Sequence, residues 1–313
     1  TDTMTANLHI IDPDGEVTIV LHHPNAPFAA FDKEVGNDNN GDIDSPDGDT
    51  SDSRQEHDEV RFQVSAKHMI LASPVFKRLL KGPWKEGTEL AKQGSVEVVV
   101  DSWDSEALLI LLNILHCRHR DLPHEMSVEQ LAKIAVITDY YDCHASVEIF
   151  TDMWVKSFRP ASSDTPFNEM IMRLFIAWVF RRREAWDQVH IDVMKWSQRS
   201  IHSFGLPFPD RLIGNAPSPR PNPVTYGLNK GREDAMNTII DSLHGSVTKL
   251  ITSTNEGENG FDKRCFDCGS SMLGALMKQM HSASLLWPRP MPPFDGLSFD
   301  GLVKTLLVFE NPK

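Results

Sequence analysis

The sequence predicts an α+β fold, a small sheet flanked by helices in the first half and an all-helical second half. Three observations carry this. Short β-branched runs, Val17-Thr-Ile-Val-Leu21, Val60-Arg-Phe-Gln-Val64 and Val96-Glu-Val-Val-Val100, are confined to the first hundred residues. Apolar residues at helical spacing, most of them behind a capping signal, occupy the gaps between and after these runs. Beyond residue 166 no strong strand signal recurs.

Taken in order, Asp12-Pro-Asp-Gly15 is a turn signal that introduces the run at 17–21, and residues 8–11 are its candidate hairpin partner. Residues 36–53 carry almost no apolar side chain, so core formation cannot offset the entropy of ordering them. A disordered acidic insertion is therefore expected at about 33–59. Val60, Phe62 and Val64 alternate with Arg61 and Gln63, the period of a half-buried strand.

Ser65 stands where it would cap a short helix. Ser73-Pro74 is a second start signal, with Ser as N-cap, Pro in the first turn, and Val75, Phe76, Leu79 and Leu80 on one face. Gly82-Pro83 stops that helix, and a loop is expected before the strand at 96–100. The helix after Ser102 or Asp104 is apolar nearly all round, from Leu108 to Leu112 and at Ile114 and Leu115, which places it in the middle of its domain. Ser127-Val-Glu-Gln130 is a capping-box pattern ahead of Leu131, Ile134 and Ala135. A further helix is expected from Cys143 or His144 to Lys156.

The boundary falls in Phe158-Arg-Pro-Ala-Ser-Ser-Asp-Thr-Pro166, which gives domains at 1–158 and 166–313. The second holds a helical-hairpin candidate at 167–198 and helices at about 233–253, 265–286 and 298–309. Between them lies a proline-rich segment at 205–223, whose six prolines from Pro207 to Pro223 exclude a helix interior or a central strand.

At 313 residues the chain can form one large or two ordinary domains, and 40% hydrophobic with 24% charged residues is an ordinary globular composition. No apolar run approaches the roughly 20 residues needed to span a bilayer. Residues 170–180 come nearest and are interrupted by Arg173. The opening Thr1-Asp-Thr-Met-Thr-Ala-Asn lacks the basic and apolar regions of a secretory signal, so an intracellular protein, cytoplasmic and/or nuclear, is expected. Four cysteines, Cys117, Cys143, Cys265 and Cys268, are too few for a disulfide framework. Of the net charge of −13, residues 32–59 carry −9, from eleven carboxylates against Lys33 and Arg54. Neither a nucleic acid nor a membrane is expected as partner.

The succession of strand, Ser65-Ala-Lys-His-Met-Ile-Leu-Ala-Ser-Pro-Val-Phe-Lys-Arg-Leu-Leu80, loop, strand, apolar helix and two further helices resembles the BTB/POZ domain. Asp14-Gly-Glu-Val-Thr-Ile-Val-Leu21 resembles its opening strand, and the resemblance covers residues 8–157. Cys265-Phe-Asp-Cys268 and Trp287-Pro-Arg-Pro-Met-Pro-Pro-Phe-Asp-Gly-Leu-Ser298 are similar to the region C-terminal to this domain in filamentous-fungal BTB proteins of no assigned activity.

The resemblance implies a small mixed sheet flanked by helices that serves protein–protein contact: self-association, docking to a cullin-type ubiquitin ligase scaffold, or holding a transcription or signalling partner. In ligase adaptors of this family an apolar residue, any residue and Glu after the Phe-containing helix touch the cullin, and Trp84-Lys85-Glu86 fits that pattern. The competing reading is that Trp84 covers the helix end. His68, Ser73 and Phe76 match structural positions of the family, with His68 as a buried, hydrogen-bonded imidazole. Dimeric members exchange an extra N-terminal helix and strand, whereas only residues 1–7 precede the first strand candidate here. A swapped dimer therefore lacks support, and another homo-oligomer or a monomer fits equally.

No P-loop, G-x-G-x-x-G, H-E-x-x-H or nucleophile elbow is present, and Gly296-Leu-Ser-Phe-Asp300 lacks the closing glycine of the last. No catalytic residue, cofactor or metal is assigned. Cys265 and Cys268 with His281 give half the spacing of a zinc finger, but a fourth ligand is missing. Asp38, Asn40, Asp42, Asp44, Asp47 and Asp49 invite calcium, yet the glycine is at Gly41 and no Glu stands at the twelfth position. Arg181-Arg-Arg183 beside Glu184 and Asp187 reads as a solvated helix face. Ser45, Ser51 and Ser53 lie in acidic context and are candidate phosphorylation sites. The expectation is a non-enzymatic adaptor. The alternatives are a transcriptional or scaffold protein unconnected with ubiquitin, and a metal- or thiol-dependent enzyme in the helical half.

Overall fold

The computed structural model describes residues 7–26, 59–201, 223–252 and 266–311. The acidic insertion up to Asp58, Cys265 and all but the last residue of the proline-rich segment lie outside them. So do the candidate calcium ligands and the candidate phosphorylation sites. The fold is α+β, and the contacts divide it into two compact units. The first contains the described residues up to Pro160 together with Ile171–Trp186, a stretch that the sequence reading assigned to the second half. The second contains Ala161–Met170, the stretch from Asp187 to Ile201 and the described residues beyond.

In the first unit, β1 (Asn7–Ile10), β2 (Val17–His22), β3 (Glu59–Val64) and β4 (Val96–Asp101) form one mixed sheet in the order β1-β3-β2-β4. β2 is central, antiparallel to β3 and parallel to β4. Val17, Ile19, Val20 and Leu21 are all buried, so β2 is covered on both faces. In β3 the expected alternation is present: Val60, Phe62 and Val64 are buried while Arg61 and Gln63 are not. Arg61 bonds Glu59 at 2.5 Å and Glu97 at 2.8 Å across the sheet.

Residues 8–11 are not the hairpin partner of β2. β1 runs parallel to β3, with Ile10 opposite Gln63, and takes the edge beyond it. The Asp12–Gly15 turn carries the chain across the end of β3 instead of folding it back. It is held there by Ile11 N–H and Asp12 N–H, which both donate to Gln63 O, and by Gln63 Nε2, which donates to Pro13 O and Gly15 O. A Cβ on Gly15 would lie 2.5 Å from Val64 O, which explains the glycine at this crossing.

The helices of this unit follow their caps. α1 (Ala66–Ala72) begins after Ser65, whose side chain makes no cap bond. α2 (Pro74–Lys81) starts as expected, with Ser73 Oγ accepting from Phe76 N–H and Pro74 in the first turn. α4 (Ser105–Leu115) is capped by Asp104, which accepts from Ala107 N–H at 2.9 Å, and buries eight of its residues. The Ser127–Gln130 capping box opens α5 (Val128–Tyr141) with both reciprocal bonds made. α6 (His144–Ser157) buries Trp154, whose indole N–H donates to Pro123 O at 2.8 Å.

The stretch before β4 is not a plain loop, because α3 (Lys85–Gln93) occupies it. Gly87, a nominal helix breaker, is the reason α3 can lie against α2: a Cβ there would be 2.7 Å from Gly82 O and 3.1 Å from Leu79 O.

α7 (Phe167–Val179) and α8 (Arg183–Trp196) form the expected hairpin segments. Of the arginine triplet at their junction, Arg181 and Arg183 are exposed and only Arg183 is in a helix, as the first residue of α8, whereas Arg182 is held by the fold. Arg181 adopts φ +53° in the turn, and Arg182 donates to Glu148 O and Thr151 Oγ1 and pairs with Asp152 at 3.1 Å. The tertiary partners on α6 override the local charge pattern.

In the second unit, α9 (Pro223–Thr252) begins ten residues earlier than the sequence indicated, with Pro223 at its first position. α9, α10 (Phe266–Ser282) and α11 (Phe299–Leu307) enclose a core of Met236, Ile240, Val247, Met280, Leu285, Phe294 and Leu302. Among the described residues no helix is long and apolar enough to cross a membrane.

Candidate functional site

The α2–α3 junction positions the predicted surface residues. Gly82 ends α2, its amide donating to Arg78 O at 2.8 Å. Pro83 separates the two helices, and Trp84 stands at the N-cap position of α3 with an extended backbone. Its carbonyl accepts from the amide and the hydroxyl of Thr88, both at 3.0 Å, so the backbone under the indole is fixed.

Trp84 is 61% exposed, so the fold covers it only in part. It lies against the last turn of α2: a Cβ on Gly82 would come 3.0 Å from Trp84 Cδ1 and 2.2 Å from Arg78 O. Lys85 is exposed and pairs loosely with Glu89 at 3.7 Å. Glu86, half-buried, is the acidic residue of the first turn, where the helix dipole favours it. Trp84, Lys85 and Glu86 thus stand together at the entry to one helix.

Behind this surface, Ser73 and Phe76 are buried. Ser73 Oγ donates to Tyr141 O at 2.5 Å, and the Phe76 ring stacks on Tyr141 with centroids 4.4 Å apart. His68 departs from expectation. It is exposed on α1, and the buried, hydrogen-bonded imidazole is His116, at the end of α4. His116 Nδ1 donates to Leu112 O at 2.8 Å and Nε2 accepts from Ser65 N–H at 3.0 Å, with the His68 ring 5.0 Å away. Burial pushes the His116 pKa below the usual imidazole value. The signal for His116 is its place directly after the most apolar helix of the chain, which carries it into the core.

Among the described residues, the remaining candidates lie apart from one another or serve the fold. Cys268 and His281 lie on the same helix, thirteen residues and so about 20 Å apart, too far to share a metal ion. Among the described residues no group of three His, Cys, Asp or Glu is arranged to hold one. Burial pushes the Cys143 thiol up to about 12, which makes it a poor nucleophile. Ser298 of the near-elbow sequence caps α11, accepting from Gly301 N–H at 3.1 Å. A cleft of about 360 Å³ in the first unit is lined by Pro74, Asp142, His144, Glu148, Phe180 and Arg181 among others.

The sequence reading missed the charge of the helix that leads into Trp84. Lys77, Arg78 and Lys81 are all exposed on α2, and the signal was available: residues 65–85 contain five Lys or Arg and no Asp or Glu.

No protein-family model matches this chain, and no curated protein sequence matches it.

Proposed function

We propose that the chain is a protein–protein interaction adaptor whose first unit is a BTB/POZ-like domain, and that it acts through a surface and not a reaction centre. The order of strands and helices from β2 to α6 supports the domain reading, as does the mixed sheet with β2 between β3 and β4.

The observation that carries the adaptor reading is the exposure of Trp84 on a fixed backbone, with Lys85 and Glu86 in the same turn. A large aromatic ring that stays mostly exposed is an effective interface anchor, and the adjacent carboxylate can pair with a cation on the partner. A cullin-type scaffold is the proposed partner. The test is a pull-down with such a scaffold comparing wild type, Trp84→Ala and Glu86→Lys. Capture by wild type that is lost in both variants is the expected result. Capture that survives in both, or absence of capture by wild type, overturns the docking reading.

A further inference from the structure

We infer that the face formed by α2 and the entry of α3 takes an acidic polypeptide segment that also carries a large apolar side chain. The inference rests on the docking reading, since Trp84 belongs to both, and it names the chemistry of the partner.

The charge distribution carries it. In a chain of net charge −13, of which residues 32–59 carry −9, residues 65–85 hold five Lys or Arg and no carboxylate, with Glu86 and Glu89 following on α3. Elsewhere in the same unit many cations are matched: Arg61 with Glu59 and Glu97, Arg118 with Asp121, Lys133 with Asp104 and Glu129. Lys77, Arg78 and Lys81 are exposed and pair with no carboxylate among the described residues. Lys77 and Lys81 stand four residues apart on one helix face, where like charges repel.

Helix-dipole stabilisation accounts for part of this. It favours Arg78 and Lys81 in the last turn of α2. It does not account for Lys77, which lies outside that turn, and Lys85 at the start of α3 is already paired with Glu89 at 3.7 Å. An incoming acidic segment can pair with Lys77, Arg78 and Lys81, while Glu86 is left for a cation elsewhere on the partner. Arg78 offers a bidentate site for a carboxylate, and the lysines act as point charges around it. The Trp84 ring, packed against the Arg78–Gly82 turn, supplies the apolar contact within the same surface. Charge alone would also suit a nucleic acid, but a polyanion that extends beyond this face is opposed by Glu86 and Glu89 on α3 and by the −9 carried by residues 32–59.

The test uses the full chain and a set of labelled peptides of about 16 residues. One series is rich in Asp and Glu with a single Leu or Trp, a second replaces every carboxylate by its amide, and a third is polyglutamate alone. Fluorescence anisotropy is read for wild type, for Lys77→Glu/Arg78→Glu/Lys81→Glu, and for the same triple replacement by Gln. Circular dichroism establishes that each variant is folded.

Expected is binding of the acidic–apolar series that weakens about tenfold or more in either triple variant, and again as salt rises from about 50 to about 300 mM. Equal binding of the amide series, binding of polyglutamate as tight as that of the mixed series, or no binding by any peptide overturns the inference. So does tighter binding of a single-stranded oligonucleotide, or self-association that the triple variant abolishes. If the cullin scaffold is not captured while the acidic–apolar peptides bind and lose affinity in the variants, the docking reading fails and this inference stands. Capture of the scaffold that is unaffected by the triple variants has the opposite meaning.

Discussion

The Ser73 hydroxyl donates to the Tyr141 carbonyl at 2.5 Å and accepts from the Phe76 amide at 3.1 Å. One buried oxygen thus starts α2 and ties it to the last turn of α5, beside the stacked Phe76 and Tyr141 rings. Ser73→Ala removes the cap and leaves a buried carbonyl without its donor. Together these two effects should cost about 2 kcal/mol of stability. Urea denaturation measures it, and a variant as stable as wild type would show that the two bonds contribute nothing net.

His116 predicts a pH dependence. Burial lowers its pKa in the folded protein, with the neighbouring His68 adding to the shift, so the unfolded chain binds the proton first. The stabilising contribution is fully present above the ordinary imidazole value near 6.5 and is lost as pH falls from there toward the folded pKa. Protonation also removes the acceptor for Ser65 N–H. His116→Gln keeps one donor and one acceptor but does not titrate. Urea midpoints measured between about pH 7 and 5 should fall more steeply for wild type than for the variant. Parallel curves would assign the dependence to other groups.

Legibility followed the range of the interaction. The Ser73 cap, the Ser127–Gln130 box and the period of β3 are set within a few residues, and each was readable. The place of β1 was not, because the Asp12–Gly15 turn is compatible with a hairpin and only pairing with residues 60–63 excludes it. His68 and His116 were exchanged for a related reason: a His near a helix start attracts a structural reading, whereas burial is decided by what packs above it. At the candidate site, the Trp84-Lys85-Glu86 triplet was readable as a pattern. The helix that presents it was hidden by Gly87, whose role depends on the backbone of α2.

Gly87 therefore makes its own prediction. Alanine has the higher helix propensity by about 1 kcal/mol, and on an isolated helix Gly87→Ala would stabilise α3. In the fold its Cβ would meet three backbone atoms of α2 and the following turn within 3.2 Å, none of which belongs to a flexible side chain. Overpacking of this kind costs about 1–3 kcal/mol, so net destabilisation is expected. Because Trp84 opens the displaced helix, binding at that surface should weaken along with stability. A variant more stable than wild type in thermal unfolding would show that α3 is not held against α2.

In the second unit, Arg232 and Ser197 make opposite predictions from one place. Arg232 is 1% exposed, and its guanidinium donates to Ser197 O at 3.1 Å, Pro293 O at 2.7 Å, Phe294 O at 3.0 Å and Leu297 O at 2.7 Å. Burial lowers its pKa, with Glu233 and Asp295 opposing the shift, and the group stays charged as an arginine does. Nothing in the solvated-looking run Lys230-Gly-Arg-Glu-Asp234 marks it, since the acceptors come from residues 197 and 293–297. Arg232→Met removes the guanidinium donor from all four carbonyls, of which only Phe294 O keeps another, the Leu297 N–H, and should lower stability by about 3–5 kcal/mol, the range for breaking a buried charged network. Arg232→Lys keeps the charge but cannot span the fork and should recover less than half of that loss. The Ser197 hydroxyl, by contrast, is buried with no hydrogen-bond partner among the described residues, so Ser197→Ala should stay within about 1 kcal/mol of wild type. Denaturant unfolding of the three variants checks the set, and a Ser197→Ala loss as large as that of Arg232→Met would mean that the hydroxyl, and not the guanidinium, organises this core.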